Sequence, residues 1–163
     1  MVETADRERS GEDLRRFRDR IGAVDGGGSA YVLLLGFEPL DNAALVARVE
    51  EGFSYRALER LRSNVGLSRE ALADLVQINP RTLDRRKEGG QLRPEESDRL
   101  LRAARVFGGA IALFEGDADA ARTWLSSPQR ALGGAVPLEM ARTEVGAREV
   151  ENLVGRLEHG VFS

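Results

Sequence analysis

The sequence predicts a mostly all-α protein: a helical bundle with a helix-turn-helix unit and a small C-terminal helical unit. Three observations carry the prediction. Apolar residues recur at helical spacing, most clearly Leu100, Leu101, Ala104, Phe107, Gly108 and Ile111. Start and stop residues bracket the periodic segments, with Ser68, Asn79-Pro80, Pro94 and Asp117 at starts and Gly52, Gly116 and Gly160 at stops. The one candidate strand, residues 31–35, is an apolar run too short for periodicity to separate a strand from a helical turn.

Residues 1–29 are polar, dense in mixed charge, and close on Gly26, Gly27, Gly28 and Ser29. They read as a mobile arm and flexible linker, although Leu14, Phe17 and Ile21 have the spacing of a short helix. Residues 40–52 form a helix capped by Asp41 or Asn42, with Leu45, Val46 and Val49 on one side and Gly52 as its stop. The next helix, 55–64, buries Leu58 and Leu61. After the break at Gly89-Gly90, Pro94 opens a longer helix, with Glu95 and Glu96 in its positive first turn and Gly116 at its end. Asp117 caps a helix with Ala121, Trp124 and Leu125 inward, stopped before Pro128. Residues 137–143 are a short helical turn. Residues 147–159 are the last helix, with Val150, Leu153, Val154 and Leu157 on one face. The expected organisation is a charged arm over 1–29, a helix-turn-helix domain over 30–105 and a C-terminal helical domain over 106–163.

Between these lies GLSREALADLVQINPRTLDRRK, residues 66–87. Ser68 is an N-cap, and Leu67 and Leu72 occupy the positions of a hydrophobic staple. Ala71, Leu72, Leu75 and Val76 form one apolar face, and small Ala73 lies where two crossing helices must approach. Asn79 caps the second helix, and Pro80 fits its first position, where no N–H is needed. That helix turns Leu83 to the core and exposes Arg81, Thr82, Arg85 and Arg86. Such a face suits a DNA major groove. From Arg81 to Arg93 five basic residues face two acidic ones, Asp84 and Glu88. The candidate DNA-binding residues are Ser68, Arg81, Thr82, Arg85, Arg86 and Lys87. A plainer reading makes the same arginines a solvated surface with Asp84 as local partner.

At 163 residues and 42% apolar content, the chain suits one domain or a compact domain with a tail. The net charge of −3 means that any nucleic-acid contact comes from a local patch. Lys87 is the sole lysine; the arginine bias runs along the whole chain and reflects either function or genome composition. There is no cysteine, which excludes disulfides, thiol nucleophiles and cysteine-ligated zinc. Residues 31–35 are too short for a signal or membrane segment, so the expectation is a soluble cytoplasmic protein.

Catalysis finds no foothold. His159 is the only histidine, so a Ser–His pair or a histidine-based metal cluster has almost nothing to draw on. Glu95/Glu96 and Glu149/Glu151 read as helix-end and surface charge. Gly133-Gly134 marks a tight turn, with no phosphate-loop pattern around it. The expectation is a non-enzymatic binding protein without cofactor or metal. At the C-terminus, Val161 and Phe162 either fold back on the last helix or insert into a partner's pocket. Arg156 is placed to pair with Glu151 or Glu158, or with an anionic group outside the chain. His159 reads as a helix-terminal residue, and Trp124 as core.

From about residue 43 to 163 the chain resembles the Xre/MbcA/ParS antitoxin family. Three motifs carry the resemblance: GLSREALADLVQINPRTLDRR at 66–86, LRPEESDRLLRAARVFG at 92–108, and WLSSPQRALGGAVPLEMARTEVGAREVENLVGRLEHGVFS at 124–163. The last is the most specific, joining W-L-x-x-P, A-L-G-G, P-L-E and a final R-L-x-x-G-V. The resemblance implies a two-part antitoxin, whose helix-turn-helix binds operator DNA and represses its own operon; the symmetry of paired half-sites adds the expectation of a homodimer, within a larger toxin–antitoxin complex. It implies that the C-terminal part occludes the active site of a cognate toxin, either a RES-type toxin that degrades NAD or a ParT-like one that modifies proteins with it. It assigns toxin binding to Arg156, His159, Gly160, Val161, Phe162 and Ser163. Relatives often have Gly at position 77, where Gln77 would cost roughly 1 kcal/mol in a left-handed turn. At 93 they usually carry a Ser or Thr cap, where this chain has Arg93. Two other functions fit the residues: a stand-alone regulator whose C-terminal unit only dimerises, and an interaction module that has lost DNA binding.

Overall fold

The computed structural model describes residues 2–21 and 30–160, and no strand occurs among them. Residues 2–21 do not form the expected mobile arm. They make one 20-residue helix, α1 (Val2–Ile21). The spacing of Leu14, Phe17 and Ile21 is the reason: Phe17 enters the core at 2% exposure, and Leu14 and Ile21 pack partly buried beside it. Residues 22–29, the expected linker, lie outside the described residues.

The apolar run resolves as a 3₁₀ helix, Ala30–Leu35, and its continuous apolarity has a packing cause. It lies among α1, α3 (Tyr55–Val65) and α6 (Pro94–Leu113), so nearly every side chain meets protein. Between the 3₁₀ helix and α3 runs α2 (Asn42–Glu51), with Asp41 Oδ1 accepting from the Ala44 amide at 2.7 Å. Leu45 is buried in α2, but Val46 is not on the inner side as expected. It is 57% exposed, because Leu45 and half-buried Val49, four residues apart, already define the stripe facing the core.

Leu58 and Leu61 of α3 share one core cluster with Leu100, Phe107 and Ile111 of α6, all at or below 1% exposure. A polar cluster pins α1 to α3. Arg60 donates from Nε and Nη2 to Asp13 at 2.7 and 2.5 Å, and Asn64 Nδ2 donates to the same carboxylate at 3.0 Å. Asp13 is almost fully buried, and these donors meet a carboxylate that would be costly to bury unpaired.

Helix α6 runs unbroken through the expected boundary at 105/106. It packs against α2 and α3 on the N-terminal side, and against α7 (Ala118–Leu125) and α9 (Glu144–Glu158) on the C-terminal side. Asp117 caps α7 by accepting from the Ala120 amide at 3.0 Å. Trp124 is only half-buried, tilted against Phe114. A 3₁₀ turn, Arg130–Leu132, and α8 (Pro137–Met140) lead into α9. That helix starts at Glu144 rather than 147, because Thr143 Oγ1 accepts from the Gly146 amide at 3.0 Å and caps it. Gly146 is required by close approach: a Cβ there would lie 1.9 Å from the Met140 carbonyl oxygen.

Candidate functional site

Two short helices form the helix-turn-helix: α4 (Arg69–Leu75) and α5 (Pro80–Gly89). Their ends are set by side chains. Ser68 Oγ accepts from the Ala71 amide at 3.0 Å, and Asn79 Oδ1 accepts from the Thr82 amide at 2.9 Å. Leu72 and Leu83 are 1% exposed and lock the helices to the core. Ala71 is exposed, and Ala73 takes the buried place expected of it.

The turn between them keeps the left-handed residue. Gln77 has φ 56°, and the Ile78 amide donates to the Ala73 carbonyl at 3.0 Å across it. Arg99 of α6 donates from Nη1 to the Gln77 carbonyl at 3.3 Å. The conformation that favours glycine is thus held by one hydrogen bond to α4 and one from α6.

The six candidate DNA-binding residues separate by exposure and partner. Arg81, Arg85 and Lys87 are exposed on α5; Thr82 is half-exposed, and its Oγ1 accepts from Arg85 Nη2 at 3.1 Å. Ser68 is exposed, with its oxygen engaged as the cap. Arg86 differs: it turns inward, donating from Nε to Glu96 Oε1 at 2.7 Å and from Nη2 to Oε2 at 3.3 Å. The two side chains are only 14% and 7% exposed. Glu96 Oε1 also accepts from the Arg93 amide at 2.8 Å, so it satisfies the start of α6 where Arg93 offers no side-chain cap. Burial pushes the Glu96 carboxyl up, but the Arg86 and Arg93 hydrogen bonds outweigh it and hold the group below its ordinary range. Arg86 is therefore a fastener between α5 and α6 rather than a free contact. Asp84, the local partner envisaged for these arginines, pairs with Arg69 of α4 at 2.6 Å.

Sequence reasoning did not single out Arg99 beside this surface. Four residues after Glu95, it reads as one half of an i,i+4 pair on a helix; in space its guanidinium reaches back to the turn. Arg142 was likewise passed over. It follows α8 and pairs with Asp74 of α4 at 3.3 Å, tying the C-terminal unit to the helix-turn-helix.

In the C-terminal unit, α9 is fastened to α6 by charge. Arg105 pairs with Glu151 and, at 3.2 Å, with Glu144; Arg102 lies 3.7 Å from Glu144. Arg156 is half-buried, with no ion pair to Glu151 or Glu158 among the described residues, since Glu151 is taken by Arg105. His159 ends α9 and is exposed, as is Gly160 with φ 68°. Val161, Phe162 and Ser163 lie outside the described residues. No helix among the described residues is long and apolar enough to cross a membrane.

The fold and surface thus define a helix-turn-helix protein in which a second helical unit is built on the last helix of the first. Residues 44–105 match a family model described as the antitoxin Xre-like helix-turn-helix domain. Residues 103–160 match the antitoxin Xre/MbcA/ParS C-terminal toxin-binding domain. An "Antitoxin Xre" of Yersinia enterocolitica serotype O:8 / biotype 1B is 38% identical over 130 residues, which are 79% of this chain and 88% of that protein. An "Antitoxin Xre" of Photorhabdus laumondii subsp. laumondii is 35% identical over the same shares. A "Prs ADP-ribosylating antitoxin" of Sphingobium sp. (strain YBL2) is 26% identical over 82% of this chain and 88% of that protein. The chain belongs to the Xre/MbcA/ParS antitoxin family.

Proposed function

We propose that this chain neutralises an NAD-consuming RES-type toxin by occluding its active site, and represses the shared operon through the helix-turn-helix. The observation that carries the reading is the pairing of matches on one continuous helix: an Xre-like helix-turn-helix up to residue 105 and a toxin-binding unit from 103. In this reading the chain is not itself an enzyme and works in the cytoplasm. It binds a roughly palindromic operator as a homodimer through Arg81, Thr82, Arg85 and Lys87. Arg156, His159, Gly160, Val161, Phe162 and Ser163 form the toxin contact, with Phe162 as the aromatic anchor. The name of the Sphingobium relative favours a second reading of the toxin, as a ParT-like enzyme that modifies a protein with NAD.

The test is co-expression with the product of the adjacent gene, following cellular NAD and ADP-ribosylated protein. Full-length chain should restore growth. A version lacking residues 161–163 should fail to restore it if the tail occludes the active site. Falling NAD without modified protein identifies a RES-type toxin; modified protein identifies a ParT-like one. No rescue of either lesion by the full-length chain would defeat the proposal.

A further inference from the structure

Between α5 and the start of α6 lies a polar cleft of about 260 Å³. Its charged lining comprises Arg85 and Arg86 from α5, Arg93 at the position just before α6, and Glu95, Glu96 and Arg99 from α6. Glu96 is already neutralised by Arg86, at 2.7 Å. Three guanidinium groups then share the cleft with one carboxylate, that of Glu95. This is a local positive site on a chain whose net charge is −3.

Arg99 is ordered before any ligand arrives. Its Nε donates to the Glu95 carbonyl at 3.2 Å and its Nη1 to the Gln77 carbonyl at 3.3 Å. Both bonds are to neutral carbonyls, so they orient the guanidinium without cancelling its charge, and its planar fork retains further donors. Arg93 is exposed, and its side chain caps nothing. Arg85 is held on the same side by its bond to Thr82, at 3.1 Å.

We propose that this cleft clamps a phosphate of the DNA backbone, with Arg93 and Arg99 as phosphate-binding residues outside the recognition helix and Arg85 joining them from within it. The inference rests on the DNA-binding reading of α5 and deepens it. The clamp sets the depth and register of α5 against the duplex and carries no sequence information, because every phosphate is alike.

The test is fluorescence anisotropy of the full chain with two labelled duplexes across a salt series. One duplex carries the region upstream of the chain's own operon; the other is a scrambled sequence of equal length. Arg93→Gln and Arg99→Gln should each weaken both duplexes by a similar factor, roughly 3- to 10-fold at low salt, and each should lower the salt slope by about one unit. Arg99→Lys keeps the charge and should restore most of the slope. Should Arg99→Lys lose as much as Arg99→Gln, Arg99 only holds the Gln77 turn and its assignment fails. If Arg93→Gln and Arg99→Gln keep wild-type affinity and slope while Arg81→Ala weakens binding, the clamp is wrong and the helix-turn-helix reading stands. If the wild-type chain binds neither duplex, both fall together. Circular dichroism of each variant confirms that it is folded.

Discussion

Arg86 and Glu96 meet through two hydrogen bonds of 2.7 and 3.3 Å, joining the second helix of the helix-turn-helix to the helix that continues into the C-terminal unit. Both side chains are largely buried, and Glu96 also satisfies the Arg93 amide. Removing either partner leaves the other largely buried at the edge of the cleft without its ion-pair partner. Glu96→Ala should therefore cost about 2–4 kcal/mol in urea unfolding, well above the ~1 kcal/mol of an exposed pair.

The same pair sets a pH dependence. The folded-state Glu96 carboxyl lies below its ordinary 4.5, with burial opposing the shift and the Arg86 and Arg93 hydrogen bonds outweighing it. Its contribution to stability is complete above pH 4.5 and is lost as pH falls through the lowered folded value. Glu96→Gln should flatten the stability–pH curve in that acid window and leave its shape near neutrality unchanged.

Arg85 and Arg86 are neighbours with opposite expected phenotypes. Arg85→Ala should leave the melting temperature within about 2 °C, corresponding to a surface change of at most ~0.5 kcal/mol, and lower the salt slope of DNA binding by about one unit. Arg86→Ala should lower stability while the slope of the remaining folded protein stays near wild type. Equal slopes lost by both would show that Arg86 leaves Glu96 when DNA binds.

Gln77 holds φ 56° in the turn. Glycine adopts that conformation without a Cβ clash, and the Arg99 hydrogen bond goes to the backbone carbonyl, which glycine retains. Gln77→Gly should raise stability by roughly 0.5–1 kcal/mol, a gain of about 2–4 °C in melting temperature. Gln77→Val should do the reverse, since a β-branched side chain resists the left-handed region.

Phe17 decides whether α1 belongs to the folded body. At 2% exposure its truncation leaves a cavity, and Phe17→Ala should destabilise by about 3–4 kcal/mol. A freely moving arm would give no change in urea midpoint, so an unaltered midpoint would contradict the packing of α1.

Much of the fold was legible because helix signals are local. Ser68, Asn79 and Asp117 each cap the residue three positions on, a geometry written within four consecutive residues. The candidate site was legible for the same reason wherever exposure follows helical phase, as with Arg81 and Arg85. It was not legible at Arg86 and Arg99. Those side chains reach 10 and 22 residues along the chain, to Glu96 and to the Gln77 carbonyl. No periodicity encodes such a reach.

Composition and spacing alone established a helical chain without cysteine and a helix-turn-helix with Asn79-Pro80 at its second start; the place among Xre/MbcA/ParS antitoxins came from the resemblance of its motifs and from the family matches. Tertiary structure decided which charges remain available. It withdrew Arg86 into a pair with Glu96, brought Arg93 and Arg99 beside α5, sent Val46 to solvent and turned residues 2–21 from an arm into a packed helix. The physical reason is one of range. Caps and helical faces are settled by residues within a turn of each other, whereas burial and ion pairing depend on which distant segment arrives alongside.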